Sequence, residues 1–402
     1  MPSIKKEPLF TRNYIAACTA NFLYFFGFYS LLPILALYLI ENFSTDKIIT
    51  GAIIASYTLA ALLFRPFGGF WVDTLNRKKL YAMALLLFIL CFAGYPIAGS
   101  ISLFVFFRIL HGLSFGVLTV TANTLVIDIS PASRRGEALG TYGIANTTAM
   151  VFGPMTAVYI HQFWGYNAVF YTALILGMVA FIIGAGFIHP PAREAVERTP
   201  ISWDRFILFK GLPAGSVLLM LGIPYGMITS YISLFSKEIG LGTDTGWFYS
   251  FMAIGTILSR LYSGKRSDRG KLSQVIILGT ILTSIALLII YGAHFLSNSS
   301  QKATMLLFNS AAFLVGFGYG SVFPAMNTLF INLATHNKRG TANSTYMTTW
   351  EIGIGIGLLI TPQIGDSGKY ANAFLLGAIA AIISICIFVF YVQKHYEKNR
   401  LS

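Results

Sequence analysis

Apolar windows almost free of charge, each long enough to cross a bilayer, recur along this chain near 14–40, 49–72, 80–98, 101–127, 137–160, 167–188, 211–236, 246–264, 273–296, 303–334, 341–363 and 370–393. A spanning helix needs roughly 20 predominantly apolar residues. The windows therefore predict an all-α membrane protein of twelve transmembrane helices. Composition agrees: 55% of the 402 residues are apolar and only 11% charged, against about 25% charged in soluble chains. Little sequence remains for an aqueous domain, and the lipid bilayer is the first partner the chain implies.

The charge that remains is lopsided, with 28 Lys and Arg against 15 Asp and Glu, a net charge of +13. No basic helix or aromatic-interleaved basic patch accompanies it, so nucleic acid is not an expected partner. With the N-terminus placed in the cytoplasm, alternate loops collect Arg77-Lys78-Lys79, Arg134-Arg135, Lys265-Arg266, Arg269, Lys271 and Lys338-Arg339. The other face holds only Lys47, Lys237, Lys302 and Lys369. Basic loops resist translocation, which predicts a cell-membrane protein with both termini cytoplasmic. The segment before the first window has no small-residue cleavage site, so that window is expected to be retained. Cys18, Cys91 and Cys386 lie in apolar runs without metal-ligand spacing, and no metal site is expected.

The longest hydrophilic stretch, His189 to Leu212, separates two halves. The expected domains are a six-helix bundle over 1–189, a cytoplasmic linker over 190–210 and a second six-helix bundle over 211–402. The halves repeat. Arg65, Gly69 and Asp73 recur 195 residues later as Arg260, Gly264 and Asp268. At an offset of 204, Gly112 and Gly116 match Gly316 and Gly320, Asn123-Thr124-Leu125 matches Asn327-Thr328-Leu329, Arg135-Gly136 matches Arg339-Gly340, and Thr141-Tyr142 matches Thr345-Tyr346. Identities in this order mark a tandem duplication of a six-span unit.

These residues carry a family resemblance. The run from Gly69 through Asp73 to Asn76-Arg77-Lys78-Lys79 resembles the loop between spans two and three of the major facilitator superfamily, G-x-L-x-D-r-x-G-r-k. Trp71 stands for the leucine and Asn76 for the second glycine, and asparagine tolerates a left-handed turn nearly as glycine does. Gly264 to Lys271 is the second copy. Arg108-Ile-Leu-His111-Gly112 is similar to the R-x-x-x-G element of span four, and Pro131 to Gly140 to the loop between spans four and five. Arg65-Pro66 and Gly153-Pro154 look most like the twelve-span drug:proton antiporters and sugar-efflux-like permeases, although Met155, Thr156 and Ala157 follow where that group has glycines.

The resemblance implies two pseudo-symmetric bundles of the major facilitator fold and alternating access around a midplane site. A proton gradient is then the energy source, with no cofactor. It also implies a cytoplasmic gate, for which the candidates are Arg65, Gly69, Asp73, Arg77, Asp128 and Arg135, with Arg260, Gly264, Asp268, Arg269 and Arg339 in the second half. Positions i and i+4 share a helix face, so Gly69 admits a neighbouring helix beside Asp73.

Ionisable groups within the hydrocarbon are costly and mark function. Glu351, the only acidic residue deep in a window, is a candidate proton or cation site, and Arg108 a candidate for coupling or substrate contact. His111, one turn from Arg108, is read as packing. Spans one, four, seven and ten line the cavity in the family, with polar groups from five and eleven. Asn21, Tyr24, Phe28, Tyr142, Asn146, Tyr225, Thr229, Tyr346 and Trp350 are the corresponding candidates.

An enzyme is not expected, because no H-E-x-x-H, G-x-S-x-G or phosphate loop occurs and the histidines have no ligand spacing. The expected function is a monomeric secondary transporter that exports a small organic molecule, drug-like, sugar or metabolite, in exchange for protons. Proton-coupled uptake of a sugar or metabolite is the alternative.

Overall fold

The computed structural model describes residues 8–131, 134–190, 207–242, 245–268, 270–335, 339–365 and 370–401; it does not describe the side chains at positions 66, 69, 70, 73, 74, 135–137, 261, 264, 265, 267, 268, 339, 340 and 343. Among the described residues the fold is helical, without a strand. The long helices are α1 (Arg12–Phe43), α2 (Lys47–Thr74), α3 (Arg77–Ile97), α4 (Ile101–Asp128), α5 (Arg135–Phe187), α6 (Leu212–Glu238), α7 (Gly246–Asp268), α8 (Leu272–Leu296), α9 (Gln301–Asn332), α10 (Arg339–Gly365) and α11 (Tyr370–Ile387). A π turn over Phe388–Val392 continues α11 into the short α12 (Gln393–Asn399).

Nine stretches among the described residues are long and apolar enough to cross a membrane. One of them, Ala138–Phe187, has 50 residues. At about 1.5 Å per residue that is over twice the ~30 Å hydrocarbon. It breaks at Gly165, whose φ of 78° and ψ of −177° belong to a region open only to glycine. The windows at 137–160 and 167–188 thus meet at one residue instead of a loop. α7 and α10 are also long helices, and the serines, threonines and Glu351 of α10 lower its hydropathy.

Loop chemistry starts several helices. Asn76 does not take up the left-handed conformation expected for it; at φ −68° and ψ 111° it is extended, and its side chain accepts from Lys79 N to cap α3. The second copy uses its glycine differently: Gly270 sits at φ +74° where α7 ends. One sequence slot is therefore filled by a helix N-cap in the first half and by a left-handed turn in the second.

Contacts group the chain into two units. The first comprises Met1–Leu31, Leu59–Gly153 and Asn167–Ile201. Here α2 and α4 approach so closely that a Cβ on Gly116 would lie 2.6 Å from the Ala61 carbonyl oxygen and 3.3 Å from Arg65 N. The second comprises Leu32–Thr58, Pro154–Tyr166 and Ser202–Ser402. In it α6 meets α10 through four glycines. Gly222 and Gly226 on α6 lie against the carbonyl oxygens of Trp350 and Ile354, and Gly353 and Gly357 on α10 against those of Leu219 and Ile223. Gly316 and Gly320, the repeats of Gly112 and Gly116, hold α9 against Met252, Thr256 and Ser259 of α7. The start of α2 also packs here: Gly51 touches Pro362, and Lys47 Nζ donates to the Gly365 carbonyl at 2.9 Å from above the Tyr370 ring.

Within lipid, helix association rests on such close van der Waals contact. Gly116→Ala and Gly226→Ala are each expected to cost about 1–3 kcal/mol, while Gly292→Ala, which meets nothing within 4 Å, should be nearly neutral. Thermal unfolding of the purified protein in detergent checks this; equal midpoints for all three variants would contradict the close-contact account.

Candidate functional site

In the first unit three helices converge on a buried base. Arg108, His111 and Phe115 follow one another along one face of α4 at spacings of three and four. Arg108 is 1% exposed, and His111 is fully buried. Arg108 Nη1 donates to Tyr95 Oη of α3 at 3.4 Å, and Tyr95 Oη lies 2.6 Å from His111 Nδ1. A guanidinium has donors only, so the Tyr95 hydroxyl is the acceptor in the first bond, and the same oxygen joins Arg108 to His111.

Aromatic rings close over this chain of bonds. The His111 ring lies 4.3 Å from Phe88 and 5.1 Å from Phe92, both on α3. Phe28 of α1 stacks on Phe115 at 5.4 Å. Beside them Asn21, Tyr24 and Tyr142 bond one another: Asn21 Nδ2 donates to the Tyr142 carbonyl at 3.2 Å and Asn21 Oδ1 accepts from Tyr24 at 2.7 Å. The hydroxyls of Tyr24 and Tyr142 are 3.4 Å apart, and Tyr29 donates to Asn146 Oδ1 at 3.4 Å. The spacing pattern on α1 thus meets that on α5, with each polar group supplying the other's partner.

The second unit repeats the aromatic theme without the base. The glycine contact of α6 with α10 brings Tyr225 and Trp350 to 4.9 Å. Tyr319 and Phe323 of α9 complete the group, at 5.1 Å from Tyr225 and 4.2 Å from Trp350 respectively. Tyr319 donates to the Leu221 carbonyl at 2.8 Å and Tyr346 to that of Phe323 at 3.3 Å. Thr229 is buried and bonds back to the Tyr225 carbonyl of its own helix at 3.0 Å. Glu351, the residue after Trp350, is half-buried on α10. Tyr95 is one partner of Arg108 within the first unit, and Glu351 belongs to the second.

Of the gate candidates, Arg77 and Asp128 form a two-pronged ion pair, with Nη1 2.6 Å from Oδ1 and 2.5 Å from Oδ2, while Arg77 Nε donates to the Val72 carbonyl at 3.1 Å. The pair ties the start of α3 to the end of α4. Arg65 is buried beside Gly116, and Arg260 is half-buried on α7. The side chains of Asp73, Arg135, Asp268, Arg269 and Arg339, and the glycine positions 69 and 264, lie outside the described residues.

Tyr95, Tyr319 and Phe323 were not among the expected site residues. The repeat held a signal for Tyr319, since the offset of 204 lays it on Phe115. Tyr95 had none, because it stands alone near the end of an apolar window.

A twofold-repeated, all-helical bundle with a buried base in one unit and an aromatic group in each has the build of a membrane carrier. The Major Facilitator Superfamily model matches residues 17–357 and 242–402, and the chain belongs to that family of transporters. The quinolone resistance protein NorA of Staphylococcus aureus is 23% identical over 395 residues, covering 94% of this chain and 95% of that protein. The staphylopine export protein of the same species is 21% identical over 362 residues, covering 87% and 89%. The solved structure of a D-xylose-proton symporter superposes with a TM-score of 0.75 at 13% identity, covering 97% of this chain and 99% of that one.

Tyr95→Phe deletes the hydroxyl common to Arg108 and His111. The expected cost is about 1–3 kcal/mol, read as a thermal midpoint lower by several degrees. An unchanged midpoint would show that the three side chains do not depend on one another.

Proposed function

We propose that this transporter exports a small organic molecule, drug-like, sugar or metabolite, in exchange for protons. The observation that carries the reading is the burial of Arg108 in an apolar helix, hydrogen-bonded to a tyrosine that also meets a histidine. A charge at that depth is costly and is kept where it serves transport. The direction is supported by the two relatives, one named for export and the other for quinolone resistance.

In this reading the chain crosses the membrane twelve times as a monomer, with α5 providing two crossings and both termini in the cytoplasm, and the proton gradient drives alternating access. Glu351 exchanges its proton for the substrate beside the aromatic group of Tyr225, Tyr319, Phe323 and Trp350, and Arg108 couples that exchange to the other half. Asn21, Tyr24, Phe28, Tyr142 and Asn146 face the cavity in part of the cycle. The Arg77–Asp128 pair and its neighbours form the cytoplasmic gate, a charged cluster that is closed in one state and solvated in the other.

Vesicles containing the purified protein and an interior pH dye test this. A panel of fluoroquinolones, opine-type carboxylates and sugars is added under an imposed pH gradient. The expected result is a substrate flux opposite to the proton flux, lost in Glu351→Gln with the thermal midpoint kept. Substrate and proton moving in the same direction would establish the uptake alternative, and active accumulation by Glu351→Gln would remove that residue from coupling.

A further inference from the structure

At the end of α6 remote from its start at Leu212 lies a cavity of about 270 Å³ that no residue discussed above uses. It forms because α6 closes in a glycine turn. Gly240 sits at φ +75°, its N–H bonds to the Lys237 carbonyl at 3.2 Å, and Leu241 N bonds to the Ser236 carbonyl at 2.9 Å. Gln301, the first residue of α9, clips that turn by donating Nε2 to the Gly240 carbonyl at 3.2 Å. The turn and the first turns of α7 and α9 therefore border a half-open cleft.

The polar lining is rich in donors. Ser236 is 1% exposed and lines the cavity, and among the described residues its Oγ has no hydrogen-bond partner. Lys302 stands at the second position of α9, where the unpaired backbone N–H groups and the helix dipole add positive potential. Asn309 also lines the space, and no described carboxylate does. A hydroxyl, an amide, an ammonium and a helix N-terminus in one cavity suit an oxyanion.

The remaining lining is apolar and leads outward. Phe248 and Phe308 form the wall, and Trp247 is at once part of the lining and exposed. From Trp247 an exposed stripe runs down α7 through Phe251, Ile254 and Leu258, one face of the helix at spacings of four, three and four. In a membrane protein such a face meets lipid tails. Trp247 has the amphipathic character that settles at the headgroup level.

We infer that this cavity binds the phosphate-bearing headgroup of an anionic phospholipid, with an acyl chain laid along the Trp247–Leu258 stripe. Free phosphate shares the headgroup chemistry but makes no use of the stripe. The inference is independent of the transport mechanism and of the substrate.

The test is a thermal midpoint on the full chain in neutral detergent, since a ligand that binds the folded state raises it. Phosphatidylglycerol is expected to raise the midpoint by several degrees; phosphatidylcholine is expected to give a smaller rise and inorganic phosphate none. Lys302→Ala and the cavity-filling Ser236→Met should abolish most of the phosphatidylglycerol rise, while Lys237→Ala, which removes a neighbouring charge outside the lining, should keep it. Brominated-chain phosphatidylglycerol should quench fluorescence that Trp247→Phe removes. An equal rise with inorganic phosphate, an intact rise in Lys302→Ala, or quenching indifferent to Trp247 would each overturn the inference. Lys302 is exposed, so its variant folds even where Ser236→Met does not.

Discussion

Backbone-to-backbone approach between helices is the contact on which the rest of this structure depends. In lipid the hydrophobic effect does not press one helix against another, and small residues must let the helices touch. Gly116 sets α4 against α2, and another face of α4 carries His111 and Arg108 toward α3. Gly222 and Gly226 against Gly353 and Gly357 set α6 against α10, which brings Tyr225 to Trp350. The aromatic group of the second unit is thus placed by glycines that contribute no side chain to it.

The two halves have kept this scaffold while their chemistry has diverged. Phe115 and Tyr319 are repeat partners and both stack in an aromatic group, but the base with its tyrosine and histidine belongs to the first half alone. The second half has a half-buried carboxylate, Glu351, next in sequence to Trp350. A duplicated unit can separate roles in this manner because each copy retains its own packing while one position in the other copy is free to change.

The periodic and repeated parts of the fold were legible in the amino-acid order. The apolar windows mark most of the helices, and three of the glycines repeated between the halves, Gly116, Gly316 and Gly320, lie where helices touch. Arg77 and Asp128 stood among the expected gate residues, while their pairing with each other comes from the structure. Other features depend on geometry that order does not carry. Asn21, Tyr24 and Tyr142 were expected from their spacing to share faces, yet spacing alone cannot show that their polar atoms bond one another. Asn76 could equally turn the chain or cap a helix, and only the backbone angles decide. Tyr95 became part of the site through its tertiary neighbours, which have no counterpart in its local sequence.

The break at Gly165 bears on what that position can hold. Because two apolar stretches join there through one residue without a side chain, the junction depends on a backbone conformation that other residues do not take up. Any residue with a Cβ at position 165 would strain the backbone at that kink.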